Sequence, residues 1–174
     1  MRPAQRRVGI GFDIHRLKRG RPFVLAGVRI PNPLGAGPDG HSDADPLCHA
    51  VVDALLGAVA LGDIGERFPD SDPRWRGTPG PEFLRRTRAI LARAGWRPVN
   101  VDATVFCERP RLGPYKRAVA AALAKALGLQ ASAVSVKAKT MEGLGPIGTG
   151  GAGGAGKALA AQAVALLAPY SRRG

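Results

Sequence analysis

Val8-Gly9-Ile10-Gly11-Phe12-Asp13-Ile14-His15 places an apolar side chain at every second position, the period of a strand with one buried face. Residues two apart on a strand point to the same side, so Asp13 and His15 present a carboxylate and an imidazole together. A third ligand of that kind would complete a catalytic zinc site with one open position. The only other histidines are His41 and His49. His49 falls inside a predicted helix with Asp45 and Asp53 at i−4 and i+4 on its face. Either carboxylate could hold the second imidazole nitrogen and fix its tautomer.

Outward from that strand, residues 23–25 and 28–30 read as a hairpin around Ala26-Gly27, followed by a Pro/Gly loop over 31–40. Ser42 is placed to cap a helix running to about residue 61, with Asp43 and Asp45 in its first turn. Residues 62–81 hold turn formers and few apolar positions, which predicts a long ordered loop or lid. Beyond it the pattern predicts an Arg-rich amphipathic helix over 82–94 and a strand over 99–107. An alanine-rich helix over 115–127, a strand over 134–138 and a final apolar helix over 157–167 complete the chain. No repeat or linker interrupts it. The expectation is a single α+β domain over 1–174, core about 8–167, with a mixed β-sheet packed by helices.

A length of 174 residues suits one domain with a sizeable core. No apolar run approaches the ~20 residues of a membrane span, and Asp13 and His15 spoil any signal-peptide core behind the basic N-terminus. Cys48 and Cys107 stand apart, which argues against a disulfide framework and for the cytoplasm. The net charge is +13, and 20 of the 26 basic residues are arginines spread along the chain. Eight of the 13 acidic residues lie between Asp39 and Asp72 with two of the three histidines. Acid gathered with His in a basic protein points to a divalent metal, with arginines for phosphate.

Two glycine-bearing segments suggest phosphate. Gly40-His41-Ser42-Asp43-Ala44-Asp45 at a helix start offers free N–H groups to an anion. Gly151-Ala152-Gly153-Gly154-Ala155-Gly156-Lys157-Ala158 nearly matches the G-x-x-x-x-G-K-[ST] loop, but Ala158 lacks the hydroxyl for Mg²⁺ and no apolar strand leads into it. A nucleotide-binding P-loop protein is therefore one alternative. A basic nucleic-acid-binding module is another, although the chain has no zinc-finger pattern, aromatic RNA-binding strand or continuous basic stripe.

Taken together, Gly11-Phe12-Asp13-Ile14-His15-Arg16, Gly40 to Asp45, His49 with Asp53-Ala54-Leu55-Leu56-Gly57-Ala58, Asp63-Ile64-Gly65 and Phe68-Pro69-Asp70-Ser71-Asp72 resemble the 2-C-methyl-D-erythritol 2,4-cyclodiphosphate synthases. Arg109-Pro110-Arg111-Leu112, Lys137-Ala138-Lys139-Thr140 and Glu142-Gly143-Leu144-Gly145 continue the match, which spans nearly the whole chain. The resemblance implies a cyclising lyase of the non-mevalonate isoprenoid pathway, a homotrimer with active sites shared between subunits. It implies zinc on Asp13, His15 and His49, and a second divalent cation, Mg²⁺ or Mn²⁺, held with Glu142. His41 and Thr140 would stabilise the transition state. Substrate would touch Asp13-Ile14-His15, His41-Ser42, Asp63-Ile64-Gly65 and Phe68 to Asp72 (Pro69, Asp70 and Ser71 between them). The cytidine and diphosphate would lie against Cys107-Glu108-Arg109-Pro110-Arg111-Leu112-Gly113 and Lys139-Thr140-Met141-Glu142 of the adjacent subunit. No nucleic acid or membrane partner is implied. Four departures stand out against the family pattern: Pro146 for an aromatic residue, Thr149 for Arg, Lys157 for Glu, and an insertion over 150–155.

Overall fold

The computed structural model describes residues 5–148 and 156–170. Strand β1, Arg7–Arg19, continues well beyond the predicted alternation. A small hairpin, β2 (Val24–Leu25) and β3 (Val28–Arg29), follows as expected, and β4 (Ala36–Pro38) pairs antiparallel with the end of β1. Helix α1 is Pro46–Ala58. Its cap is Asp45, not Ser42: the Asp45 carboxylate accepts from Leu47 and Cys48 N–H at 3.0 and 3.2 Å, and Pro46 follows at a first-turn position that needs no donor. Ser42 instead closes a local turn, accepting from Ala44 N–H at 3.1 Å.

The expected loop over 62–81 is partly regular, with α2 (Ile64–Arg67) and a 3₁₀ turn (Pro73–Trp75). Phe68, Trp75 and Phe83 pack with ring centroids 5.1–6.0 Å apart and tie it to the core. Helix α3 (Gly80–Arg93), strand β5 (Trp96–Phe106), helix α4 (Lys116–Leu127) and strand β6 (Val134–Lys139) lie close to their predicted positions. A short α5, Gly145–Gly148, was not anticipated.

The last element overturns a prediction. Residues Ala158–Pro169 are strand β7, not a helix. Alanine favours helix in isolation, but β7 occupies the middle of a five-stranded sheet of order β4-β1-β7-β5-β6. It runs antiparallel to both β1 and β5, while β5 and β6 are parallel, so the sheet is mixed. Leu159, Ala161, Ala163, Ala165 and Leu167 turn one face of β7 into the helical layer and are buried there. Two ladders and this burial outweigh local propensity. The same finding removes the P-loop reading, because a strand follows Lys157 where that motif requires a helix.

The result is an α+β domain in which α1, α3 and α4 cover one face of the sheet. The opposite face carries Val8, Ile10 and Phe12, exposed at 66, 64 and 55%. Thr149 and the inserted 150–155 lie outside the described residues. Pro146 belongs to α5 and Lys157 is exposed.

Candidate active site

The helix-facing side of β1 reads Gly9, Gly11, Asp13, His15. A Cβ on Gly9 would sit 2.0 Å from the Ala54 carbonyl oxygen, and one on Gly11 2.0 Å from that of Ala50. The two glycines thus let α1 lie directly on the strand. One step further along β1, at the N-terminal end of α1, side chains return, and they are Asp13 and His15 facing His49.

Asp13 Oδ2 lies 2.9 Å from both His15 Nε2 and His49 Nδ1, and those nitrogens are 3.2 Å apart. Ligand atoms held 2.0–2.1 Å from one tetrahedral zinc would be separated by about 3.3 Å, so the three donors fit such an ion. Outside contacts fix the rings in the matching orientation: His15 Nδ1 lies 3.2 Å from the Asp39 carbonyl oxygen, and His49 Nε2 lies 3.3 Å from Ser42 Oγ. Donation of Nδ1–H to the Asp39 carbonyl leaves His15 Nε2 its lone pair. Burial pushes the Asp13 carboxyl up, but hydrogen bonds and charge from His15 and His49 outweigh it and hold the group well below the usual carboxylate range. Burial likewise pulls His15 down while Asp13 raises it, and the balance is upward.

The second-nitrogen partner of His49 is therefore neither Asp45 nor Asp53. As the N-cap of α1, Asp45 folds its side chain back over the helix end. Asp45 is spent on α1 amides and on Ala26 N–H. Asp53 accepts from Ile64 N–H at 2.8 Å and so anchors the start of α2.

The triad opens on a cleft of about 350 Å³ that brings together Asp13, His15, His41, Ser42, His49, Ile64, Gly65, Phe68, Pro69 and Asp70 from the expected set. His41 Nε2 is buried with no hydrogen-bond partner among the described residues, which leaves it for a ligand. Gly40, from the segment read as an anion site, also lines this cleft, and so do Trp75 and Phe83, which were not anticipated. Phe83 packs edge-on to His49, at 5.8 Å between ring centroids. The buried face of α3 was the available signal for it. Four expected residues do not line the cleft. Ile14 lies on the sheet's other face, Asp63 caps α2 by accepting from Glu66 N–H at 2.9 Å, and Asp72 caps the 3₁₀ turn while holding Arg74. Ser71 lies outside the lining as well.

A second cleft, about 560 Å³, is built where β5 and β6 end side by side. Cys107, Glu108, Arg109, Arg111, Leu112, Gly113, Lys139 and Thr140 line it, with Pro114, Lys116 and Ala138 as additions. Pro110 does not line it; its peptide bond with Arg109 is cis. Nor do Met141 and Glu142, although Thr140 Oγ1 donates to Glu142 Oε1 at 2.9 Å. Burial pushes the Cys107 thiol up to about 12, so it is no nucleophile at neutral pH. The metal triad and this cleft sit on strands separated by β7.

Comparison with known proteins bears on this arrangement. The YgbB family model matches residues 6–168. The 2-C-methyl-D-erythritol 2,4-cyclodiphosphate synthase of Dechloromonas aromatica is 52% identical over 161 residues, covering 92% of this chain and 96% of that protein. A solved 2-C-methyl-D-erythritol 2,4-cyclodiphosphate synthase in a CDP-bound form superposes with a TM-score of 0.81 at 39% identity, covering 92% of this chain and 99% of the other. The bifunctional IspDF of Campylobacter jejuni gives a TM-score of 0.88 at 34% identity; 97% of this chain is covered, but only 44% of that longer one.

Proposed function

This chain belongs to the YgbB family, and we propose that its two clefts together turn 4-diphosphocytidyl-2-C-methyl-D-erythritol 2-phosphate into 2-C-methyl-D-erythritol 2,4-cyclodiphosphate and CMP. It is a cyclising lyase of isoprenoid precursor synthesis. The observation that carries the reading is the convergence of one carboxylate oxygen and two imidazole nitrogens at zinc-ligand spacing, in a cleft where His41 Nε2 has no hydrogen-bond partner among the described residues.

In the reaction an oxygen of the 2-phosphate bonds to the β-phosphorus of the CDP group. The bond from that phosphorus to the oxygen bridging it to the α-phosphorus breaks, and CMP leaves with the oxygen and its electron pair. Such a transfer asks for alignment and charge neutralisation more than for a protein nucleophile. A zinc ion on Asp13, His15 and His49 would supply a Lewis acid and a template for the phosphate oxygens. A second cation, Mg²⁺ or Mn²⁺, would be carried mainly by the diphosphate, with Glu142 offering an exposed carboxylate of the kind such ions take. His41 would donate to a diphosphate oxygen, and Thr140 would hold the β-phosphate from the other side. Lys139 and Arg111 add positive charge at the nucleotide cleft. The loop with Ile64, Gly65, Phe68, Pro69 and Asp70 would enclose the methylerythritol, with Asp63 and Asp72 supporting its backbone.

The active assembly on this reading is a homotrimer. Support comes from the apolar face of Val8, Ile10 and Phe12, and from the separation of the two clefts within one chain, which a neighbour's cleft would overcome. The cytoplasm is its place, in keeping with two free, buried cysteines; no helix among the described residues is long and apolar enough to cross a membrane. Part of the basic charge is paired within the domain. Of the described cations, Lys18 and Arg21 pair with Asp39, Arg85 and Arg86 with Glu82, and Lys137 with Asp102.

Purified protein incubated with the substrate and Mg²⁺ should release CMP and yield a cyclic diphosphate by phosphorus NMR, in a species sedimenting as a trimer. Zinc-loaded protein that leaves the substrate intact would overturn the reading.

A further inference from the structure

Where β5 and β6 leave the sheet together, Cys107 N–H donates to the Lys139 carbonyl at 2.9 Å, and the next residue on each side is Glu108 and Thr140. The Glu108 side chain crosses this short gap. Its Oε1 accepts from Met141 N–H at 2.7 Å and from Gly143 N–H at 3.4 Å. Between those amides sits Glu142, a non-glycine residue at φ 52°, followed by Gly143 at φ 75°. A left-handed conformation at Glu142 is disfavoured locally and persists only where its surroundings hold it. The two amides that flank Glu142 both end on one Glu108 oxygen. No lysine or arginine among the described residues pairs with that carboxylate.

We infer that Glu108 is a positioning residue: its carboxylate clamps the backbone on both sides of Glu142 and thereby holds the Glu142 carboxylate against Thr140, at the edge of the nucleotide cleft. The inference rests on the proposed cyclase reading for its effect on turnover, although the clamp itself stands on geometry. The clamp keeps the Thr140 hydroxyl and the Glu142 carboxylate 2.9 Å apart in a fixed relation to the cleft floor. Its requirement is an acceptor oxygen at the right reach, not a negative charge. A glutamine supplies that oxygen, an aspartate is one methylene too short, and an alanine has none.

The test compares Glu108→Gln, Glu108→Asp and Glu108→Ala by kinetics, zinc content and amide hydrogen exchange of residues 140–144. Glu108→Ala should lower kcat about 10- to 100-fold, the scale of a displaced reacting group. Zinc content should be unchanged, because the triad lies on β1 and α1, and the Met141 and Gly143 amides should exchange at least tenfold faster. Glu108→Gln should restore most of the lost kcat and the protection, and Glu108→Asp should behave like Glu108→Ala. A Glu108→Gln variant with protected amides but the turnover of Glu108→Ala would overturn the inference, because charge on the substrate or cation would then be the role. Wild-type exchange rates in Glu108→Ala would overturn it as well. If Glu108→Ala does not fold, the contrast between Gln and Asp decides. Failure of the wild-type protein to release CMP would sink the cyclase reading alone, since exchange is read without substrate.

Discussion

The cleft at Asp13, His15 and His49, proposed to hold the metal, and the cleft at the ends of β5 and β6, proposed to hold the nucleotide, are built on opposite plans. Asp13 and His15 stand on a long strand inside a sheet, and His49 on a helix pressed against it through two glycines; every donor is oriented by a second contact. The other cleft is assembled from the end of β6, the start of α4 and the loops beyond β5 and β6, with Glu108 tying one loop down through Met141 and Gly143. An ion with fixed bond lengths tolerates little misplacement, so its ligands belong on rigid elements. A flexible diphosphate with its own cation can be gathered by loops, and those loops can come from another subunit.

The hardest test of this contrast separates the halves. His49→Ala should reduce zinc from about one per chain to near zero and lower turnover by on the order of 10³-fold. CMP affinity, which reads the other cleft, should move little. Mixing those chains with Glu142→Gln chains should recover about a quarter of full activity after subunit exchange, since each site then draws its metal half and its nucleotide half from separate chains. No recovery in verified mixed trimers would place both halves in one chain and break the comparison.

A smaller effect sharpens the account of the metal side. Ser42→Ala removes the contact to His49 Nε2 without touching a ligand, and zinc affinity measured by chelator competition should weaken about 10-fold. Nucleotide affinity should hold. Unchanged zinc affinity would show that Ser42 serves the substrate only.

The smallest effect concerns the frame beneath the triad. Gly57 lies on the exposed side of α1 with no atom within 4 Å of a built Cβ, so Gly57→Ala should raise stability by about 0.5–1 kcal/mol. Gly11→Ala forces a methyl against the Ala50 carbonyl and should cost about 1–3 kcal/mol. Equal melting temperatures for the two variants would mean that α1 is free to move off β1.

Most of the candidate metal site was legible because its signals are local. Strand alternation put Asp13 beside His15, and a helix supplied His49; only the contacts outside the rings were misassigned, since Asp45 and Asp53 turn to backbone amides. The aromatic wall of Trp75 and Phe83 was not found, because Trp75 lies in a loop with few apolar residues and meets Phe83 of α3 only in three dimensions. Asp63 and Asp72 read as ligand-binding acids; the structure shows both capping short helices.

Sequence pattern sufficed for the α+β class, for the family through motif order and for the three candidate metal-binding side chains, but not for β4 and α2, which fall in segments that read as loops. It could not determine β7. An alanine-rich run prefers a helix when judged alone, and only its place between β1 and β5, with ladders on both edges and a helix layer above, makes it a strand. The tertiary structure also decided that the two clefts lie apart on one chain, since strand order depends on pairing between segments far apart in sequence, and no local pattern records that.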